Sequence, residues 1–235
     1  MSEWWTYRLS DFLMFSTRTY RRLFELYNAE VWPAHAVAVG CGVLLLVGAA
    51  RRRPALARSA AGLLAAAWLW VAWAFHLQRY ATINTAAPWF GLAFGIEAIV
   101  LTGLALSGVR WCTSADADPR RAVGLALLAA ALFALPLVGS ILGRPWTQAE
   151  IFAIAPDPTV VATLGMLLLM RDDGDRTPSR WSWVGLVAWP IPVGWCLVSG
   201  ATLWTMDAPE APLLPVLAAI ALIGARLGRA GERAR

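Results

Sequence analysis

Seven long apolar runs, separated by short polar segments, constrain the fold of this chain more than any other feature. They cover residues 32–50, 59–78, 88–108, 122–142, about 151–170, 182–204 and 212–228. Most of them approach or reach the roughly 20 residues that a helix needs to cross a bilayer. Only 15% of the residues are charged, against about 25% in a typical soluble domain. The sequence therefore predicts an all-α polytopic membrane bundle, with a seven-helix transmembrane domain over residues 31–228.

Residues 1–30 form a separate N-terminal segment ahead of the first run. This segment lacks the basic stretch followed by an apolar stretch that a cleaved signal peptide has. Apolar side chains instead recur at helical spacing, with charged side chains mostly on the other side: Leu9, Phe12, Leu13, Tyr20, Leu23, Phe24 and Tyr27. This pattern predicts an amphipathic helix that lies in the membrane interface.

Arginine is distributed unevenly among the connecting segments. Four arginines lie in 51–58, three in 109–121, three in 171–180 and four in the C-terminal stretch 225–235, whereas 79–87, 143–150 and 205–212 hold one, one and none. Because basic residues collect on the cytoplasmic side, the pattern predicts an outside N-terminus and a cytoplasmic C-terminus in a bacterial inner membrane. The chain then ends in a basic cytoplasmic tail, 229–235. The four arginines of the N-terminal segment are the one discordant count.

Several functional classes are excluded or disfavoured by composition. The chain contains no lysine, so it cannot form the Schiff base of a retinal protein. Its net charge of +5 follows the loop pattern and does not indicate a nucleic-acid partner. Cys41, Cys112 and Cys196 have no zinc or disulfide spacing. No nucleophile elbow, phosphate-binding loop or zinc-protease motif is present, so no enzymatic activity is expected.

Two prolines interrupt the fifth run, EIFAIAPDPTVVATLGMLLLM (150–170). The stretch after them, 159–170, would measure about 18 Å as a helix against a hydrocarbon core of about 30 Å. Pro156 and Pro158 remove backbone donors, and Asp is among the best helix caps. The sequence therefore predicts a broken fifth helix that begins at Pro158, with Asp157 as its N-cap. Asp157 either only caps this half-helix or also lines an outward-facing pocket, as discontinuous helices do in transporters.

The sixth run contains a second irregular stretch, WPIPVGW (189–195). Pro190, Pro192 and Gly194 predict a kinked or unwound helix near mid-membrane. Two adjacent irregular helices indicate a binding site, although a kink that only shapes packing is the alternative. Five deep tryptophans could line an aromatic pocket or pack in the core: Trp68, Trp70, Trp73, Trp189 and Trp195.

Glu97 is the carboxylate that the sequence places nearest to mid-membrane, nine residues into the third run. An ionisable residue is costly there and suggests a function by default. Since no arginine shares its depth, Glu97 is expected to be protonated or hydrogen-bonded to a neighbouring helix. The alternative is a neutral side chain bonded to a Ser, a Thr or a carbonyl group.

The two histidines, His35 and His76, both fall at the predicted outer ends of their runs. Other polar residues assigned to that side are Asn84, Glu150, Asp157, Asp207 and Glu210. Two histidines could ligate a haem, or a divalent metal together with carboxylates, but their positions show no ligand spacing. Interfacial hydrogen bonding is the simpler role, and no cofactor is predicted.

Three stretches carry a resemblance to a known family: LYNAEVWP (26–33), FHLQRYATINTAAPWFG (75–91) and PDPTVVATLGMLLL (156–169). They are similar to an uncharacterised bacterial family of multi-pass membrane proteins, catalogued as a domain of unknown function, whose members are sometimes labelled permeases. Members tend to have Cys-Pro-Thr where Asp157 begins Asp-Pro-Thr here, and an amide where Glu97 stands. The resemblance implies an integral membrane fold over nearly the whole chain and supplies no catalytic residues.

The function favoured by these patterns is a small permease or solute-binding membrane protein with an outward-facing polar pocket. The candidate binding residues are Glu97, Asp157, His76, His35, Glu150 and Asn84, and the helix breaks are at Pro156, Pro158, Pro190, Pro192 and Gly194. A proton-coupled carrier would use Glu97 if water reaches it. The alternative is a non-catalytic accessory subunit of a larger membrane complex. The expected partners are the lipid bilayer, a small solute or ion, and another membrane protein or a second copy of the chain.

Overall fold

The computed structural model describes residues 15–107, 109–111, 119–171 and 186–233. The helices are α1 (Thr17–Val31), α2 (Ala34–Ala50), α3 (Pro54–Trp70), α4 (Ala87–Leu106), α5 (Pro119–Ala129), α6 (Leu135–Ile141), α7 (Pro156–Leu169), α8 (Pro190–Thr205) and α9 (Leu213–Arg233). A π-helical segment, Val71–Leu77, extends α3, and a second one, Ala130–Ala134, joins α5 to α6. Two short 3-10 turns occur at Tyr80–Thr82 and Trp146–Gln148. The predicted helical class is therefore confirmed.

Each predicted apolar run contains a helix, but not every helix can cross a membrane by itself. Within the described ranges, three continuous helical stretches are long and apolar enough: Leu56–Thr82, Ala87–Leu106 and Pro119–Ile141. A fourth span results if α1 and α2, which are bent by 91° relative to each other, count as one. Pro156–Leu169 and Leu213–Leu227 are apolar but shorter. The structure thus supports three or four spans by length and composition, and the predicted count of seven is not confirmed.

α1 is amphipathic where the structure describes it, and its apolar face packs onto protein. Tyr20, Leu23, Phe24 and Tyr27 are buried, and the ring centroid of Phe24 lies 5.1 Å from that of Phe75 beyond α3. The side chain of Ser16 caps the helix by accepting from Thr19 N. Residues 1–14, including Leu9, Phe12 and Leu13, lie outside the described residues, as do parts of segments 109–121 and 171–180, the start of the sixth run and residues 234 and 235.

α7 lies at the centre of the molecule. All of its residues are buried, and it contacts α3, α5, α8 and α9. The approach of α5 to α7 is so close that a Cβ atom on Gly165 would lie 2.7 Å from the carbonyl oxygen of Gly124. Glycine at both positions therefore allows the two backbones to touch, as small residues do between helices in membrane proteins.

Arginine side chains cap three helices at one end of the bundle, which we call the arginine end (Arg58, Arg120 and Arg121). Arg121 Nη2 donates to Ala50 O at the end of α2 (2.7 Å), Arg58 Nε to Ala105 O in α4 (3.1 Å), and Arg120 to Leu168 O and Met170 O around the end of α7 (2.8 and 3.4 Å). The last carbonyls of a helix have no partner within it and attract positive charge. A two-residue antiparallel pairing of β1 (Arg110–Trp111) with β2 (Met170–Arg171) also lies here.

Candidate functional site

The chain is not helical between residues 149 and 155, just before α7. Ala153 adopts a left-handed conformation with φ of 62°, which costs an L-residue energy unless its surroundings hold it. Thr159 holds it in place, because its hydroxyl accepts from Ala153 N at 2.9 Å and donates to Ala155 O at 2.7 Å. The predicted break of the fifth helix is present, and a threonine of the first turn stabilises it.

Asp157 does not cap α7 as predicted. The helix begins at Pro156, its N-cap is Ala155, and no side chain makes a cap hydrogen bond. Asp157 therefore lies inside the first turn, and its carboxylate turns toward α8. Oδ1 accepts from Trp195 Nε1 and Oδ2 from Ser199 Oγ, each at 2.8 Å. Ser199 lies six residues before the end of α8, or about 9 Å along its axis, so Asp157 is recessed from that end of the bundle.

The prediction of a break within the sixth run was wrong in position. α8 begins at Pro190, with Pro192 in the same first turn, and Gly194 lies in regular helix. Proline suits a helix start because its missing N–H would have no partner there. Trp195 and Ser199 consequently occupy a continuous helix and face Asp157 as a fixed pair of donors.

A small cavity next to Asp157 collects further charged side chains. Its volume is about 30 Å³, and Arg144, Glu150, Asp157 and Glu210 line it together with apolar residues of α6, α8 and α9. One water molecule requires roughly 10–15 Å³, so the cavity has room for one or two water molecules. We call this site the acidic cavity, defined by these four charged residues. Arg144, Glu150 and Glu210 come from three separate connections, which are the turn after α6, the break before α7 and the turn before α9, and Asp157 comes from the first turn of α7.

The charges of the acidic cavity are incompletely paired. Arg144 Nη2 lies 3.0 Å from Glu210 Oε1, but the geometry is not that of a hydrogen bond, so the contact is one between charges. Among the residues that the structure describes, Glu150 Oε2 and both carboxylate oxygens of Glu210 are buried without a hydrogen bond. Burial raises the pKa of Glu150 well above its usual value, Asp157 and Glu210 raise it further, and Arg144 lowers it.

His76 lies behind Trp195 and does not line the acidic cavity. It is fully buried in the π-helical segment, with ring centroids of Phe94 and Trp195 at 4.4 and 5.0 Å. In the described part of the chain, neither of its ring nitrogens has a hydrogen-bond partner. The predicted polar role of His76 therefore reduces to packing against the indole that holds Asp157.

Glu97 is also fully buried. It lines neither the acidic cavity nor the larger groove described below, and its carboxylate has no hydrogen-bond partner among the described residues. The expected bond to a neighbouring helix is therefore not found within those residues. This environment gives no support to a proton-coupled role that requires water at Glu97.

A second, larger recess lies between α1, the start of α2 and segment 146–151. We call it the outer groove; its volume is about 760 Å³, and it is lined by Arg22, Glu25, Leu26, Asn28, Ala29, Trp32, His35, Ala36, Val39, Trp146, Thr147, Ala149 and Ile151. Asn28 Nδ2 donates to the carbonyl oxygens of Thr147 and Ala149, each at 2.9 Å, and its Oδ1 lies 3.2 Å from His35 Nε2. Its size is that of a small-molecule site.

The remaining predicted site residues are separated. Asn84 Oδ1 accepts from Ala86 N at 2.9 Å, so Asn84 stabilises the turn into α4. His35 stacks on Trp32, whereas the rings around His76 come from other helices, so the two histidines do not form a shared haem or metal site. Within the described ranges, no group of three His, Cys, Asp or Glu side chains is arranged to hold a metal ion.

The sequence identified Asp157 and Glu150 as candidate site residues, but it did not identify Arg144 or Ser199. Arg144 is the single arginine of segment 143–150, and this isolation on an otherwise arginine-poor side was a signal for a specific role. Ser199 gave no such signal, because a serine in an apolar helix is common.

The chain matches a protein-family model over almost its whole length. The model of the family described as "Family of unknown function (DUF6064)" covers residues 17–233. No curated protein and no solved structure matches the chain.

Proposed function

The chain belongs to DUF6064, a family of unknown function, so its role must be inferred from its own site, and we propose that it is a multi-pass integral membrane protein that binds or transports a small solute. It would lie in a bacterial inner membrane as a small permease, with its N-terminus outside and its C-terminus in the cytoplasm. The solute would enter from the outside through the outer groove.

The observation that carries this proposal is the enclosed, interrupted α7. α7 is too short to cross about 30 Å of hydrocarbon, yet all of its residues are buried, so neighbouring helices would shield it from lipid. Non-helical backbone at membrane depth survives only when protein encloses it or a wet cavity adjoins it. Residues 149–155 meet both conditions, since most are buried and Glu150 lines the acidic cavity.

The outer groove and the acidic cavity share a thin wall. Ala149 and Ile151 line the groove, and Glu150 between them lines the cavity. A movement of this segment would change both sites together, which is the geometry that coupling between a solute and an ion requires. The mostly apolar lining of the groove, with Asn28 and His35 on one wall, favours a solute with an apolar body and one polar group.

Exposed apolar side chains bear on the alternative role as an accessory subunit. They occur on several helices, for example Val37 in α2, Ile99 in α4, Leu197 in α8 and Ile223 in α9. A surface that is apolar on many sides suits surrounding lipid. A subunit of a larger complex would need one dominant contact face, for which the exposed Trp73 and Trp204 are the strongest candidates.

A thermal-shift screen with matched variants tests the solute site. The detergent-purified protein is screened against a panel of small metabolites, and each stabilising compound is tested on Ala36→Trp, which fills the groove. Val37→Trp is the control, because Val37 is 68% exposed and is not part of the groove lining. A solute of the groove stabilises the wild type and the control only; compounds that stabilise all three proteins equally would remove the groove as the solute site.

A labelling experiment tests the membrane orientation. In a cysteine-free background, Asp207→Cys should react with a membrane-impermeant maleimide added to intact cells, whereas Arg226→Cys should react only after lysis. Asp207 is exposed in the turn before α9, and Arg226 lies near the far end of that helix. Equal labelling of both positions in intact cells would contradict the proposed orientation.

A further inference from the structure

We propose that the acidic cavity is a proton-binding site, in which Glu150, Asp157 and Glu210 together hold one exchangeable proton beside the fixed charge of Arg144. This inference names an ion for the cavity that the proposed function leaves open. A role of this proton in transport rests on the proposed function. Proton binding itself does not, because it can be measured without transport.

The first argument is charge. Three carboxylates and one guanidinium line the acidic cavity, and its other lining residues are apolar, so full ionisation would leave an excess of two negative charges there. An uncompensated charge in such a site is unfavourable, and a carboxyl group responds by taking a proton. Arg144 neutralises one carboxylate, and a proton on a second one removes most of the remaining repulsion.

The second argument is the presence of acceptors without donors. The side chain of Glu210 is only 7% exposed, it lines the cavity, and no described residue donates a hydrogen bond to its Oε2. Glu150 Oε2 has the same deficit within the described chain. A carboxylate can only accept hydrogen bonds, but a protonated carboxyl group also donates one. One proton on Glu150 or Glu210 therefore supplies a donor beside acceptors that have none among the described residues.

The third argument compares the hydrogen-bond donors around Asp157 with those around Glu150. Both oxygens of Asp157 accept hydrogen bonds from neutral donors, Trp195 Nε1 and Ser199 Oγ, which offset part of the cost of burying its charge. Among the described residues, Glu150 Oε2 has no such donor, and burial and the charge of Asp157 raise the pKa of Glu150. The proton accordingly belongs mainly to Glu150, and Asp157 provides the neighbouring negative charge.

The size and shape of the cavity favour a proton over a metal ion. The space has room for one or two water molecules, and the acidic side chains of the described residues do not converge as a set of three metal ligands. Water in this space could connect Glu150 to the other acids. Three other titratable groups near these acids carry no charge at neutral pH in their ordinary forms: Tyr20 of α1, Tyr80 of the turn before α4 and Cys196 of α8.

The pH dependence of stability tests this site. Thermal unfolding of the full-length protein in detergent is followed from about pH 5 to about pH 9, in choline chloride and in sodium chloride at equal ionic strength. Because the pKa of Glu150 is raised in the folded state, the stabilisation is complete below the usual carboxyl pKa and is lost as the pH rises. Glu150→Gln should flatten this dependence. Glu25→Gln is the control, because Glu25 pairs with Arg22 on the surface of α1.

Infrared difference spectroscopy between the same two pH values provides a second measurement that does not depend on unfolding. In a Glu97→Gln background, which removes another buried carboxyl group, the otherwise unchanged protein and Glu25→Gln should lose a protonated-carboxyl band as the pH rises. Glu150→Gln in the same background should lack this band. The same band in Glu150→Gln, Glu210→Gln and Asp157→Asn would overturn the proposal. Stabilisation by sodium at constant pH that Glu150→Gln abolishes would assign the cavity to a metal cation and overturn it as well. Neither readout involves the solute screen, so the two proposals can fail separately.

Discussion

The two ends of the bundle differ in how their charged side chains are paired. At the arginine end, guanidinium groups donate to carbonyls at the ends of α2, α4 and α7, so each of these contacts joins a donor to an acceptor. At the other end, three carboxylates share one arginine, and oxygens of Glu150 and Glu210 find no donor among the described residues. The first arrangement stabilises helix ends at any pH, whereas the second can change its charge. The difference suggests that one end is structural and the other is adapted to bind.

The largest effect is expected from removing Arg120 at the arginine end. Arg120→Leu removes the donors to Leu168 O and Met170 O and leaves carbonyls at the end of a buried helix without them. The expected loss is about 3 kcal/mol of unfolding free energy, from charge-assisted hydrogen bonds. Denaturant titration in detergent measures it, with the exposed Arg18→Leu of α1 as control. An equal loss in the control would show that charge number, rather than capping, matters.

A smaller effect is expected from Asp157→Asn at the acidic end. Asparagine can accept from Trp195 Nε1 and donate to Ser199 Oγ, because a hydroxyl group also accepts. Both hydrogen bonds lose their charge assistance, which costs about 1.5 kcal/mol. Removal of a charge should also change how stability varies with pH, which Arg120→Leu should not do. Unfolding curves at about pH 6 and about pH 8 check both points. An unchanged pH dependence in Asp157→Asn would mean that Asp157 is outside the titrating group.

Arg58→Leu should lower stability modestly and leave its pH dependence unchanged. The Nε of Arg58 donates to Ala105 O at an exposed position, and one such bond contributes about 1 kcal/mol. We expect the unfolding temperature to fall by the same amount at every pH tested. A loss that grows with pH would contradict the division into a structural end and a titrating end.

The smallest effect is expected from Glu97→Gln. Glu97 lines neither of the two sites, so solute binding should match that of the wild type. The unfolding free energy should change by less than about 1 kcal/mol, because one uncharged polar group replaces a carboxyl group of similar shape in the same sealed position. The thermal-shift screen and the pH series already described measure both quantities. Loss of solute binding in a stable Glu97→Gln protein would return Glu97 to the site.

Local chemistry made part of this structure predictable. The break before α7 follows from two prolines in three residues, because proline acts on its own backbone and that of its neighbour. The start of α8 at Pro190 follows from the same rule, and the error lay in placing these prolines inside a span. The helical spacing of Tyr20, Leu23, Phe24 and Tyr27 predicted one face of α1 correctly, but not that this face would pack against protein.

Contacts between distant parts of the chain could not be predicted in the same way. The bond between Asp157 and Ser199 joins residues 42 positions apart, and capping was the only local role that the sequence offered for Asp157. Glu97 lies near the middle of α4, and its surroundings depend on which faces of the neighbouring helices meet it. Hydrophobic periodicity is weak in helices that are apolar on all sides, so it cannot indicate those faces.

The complete enclosure of α7 has a consequence for how the protein would be made. A helix of this length that carries an aspartate is a poor substrate for membrane insertion by itself, since a carboxylate at the centre of a span costs about 2.5–3.5 kcal/mol. Its partners Trp195 and Ser199 are synthesised later than α7. During biosynthesis, α7 would therefore wait at the insertion machinery or in the shelter of α3 and α5 until α8 arrives, and the native bundle would form only after most of the chain has left the ribosome.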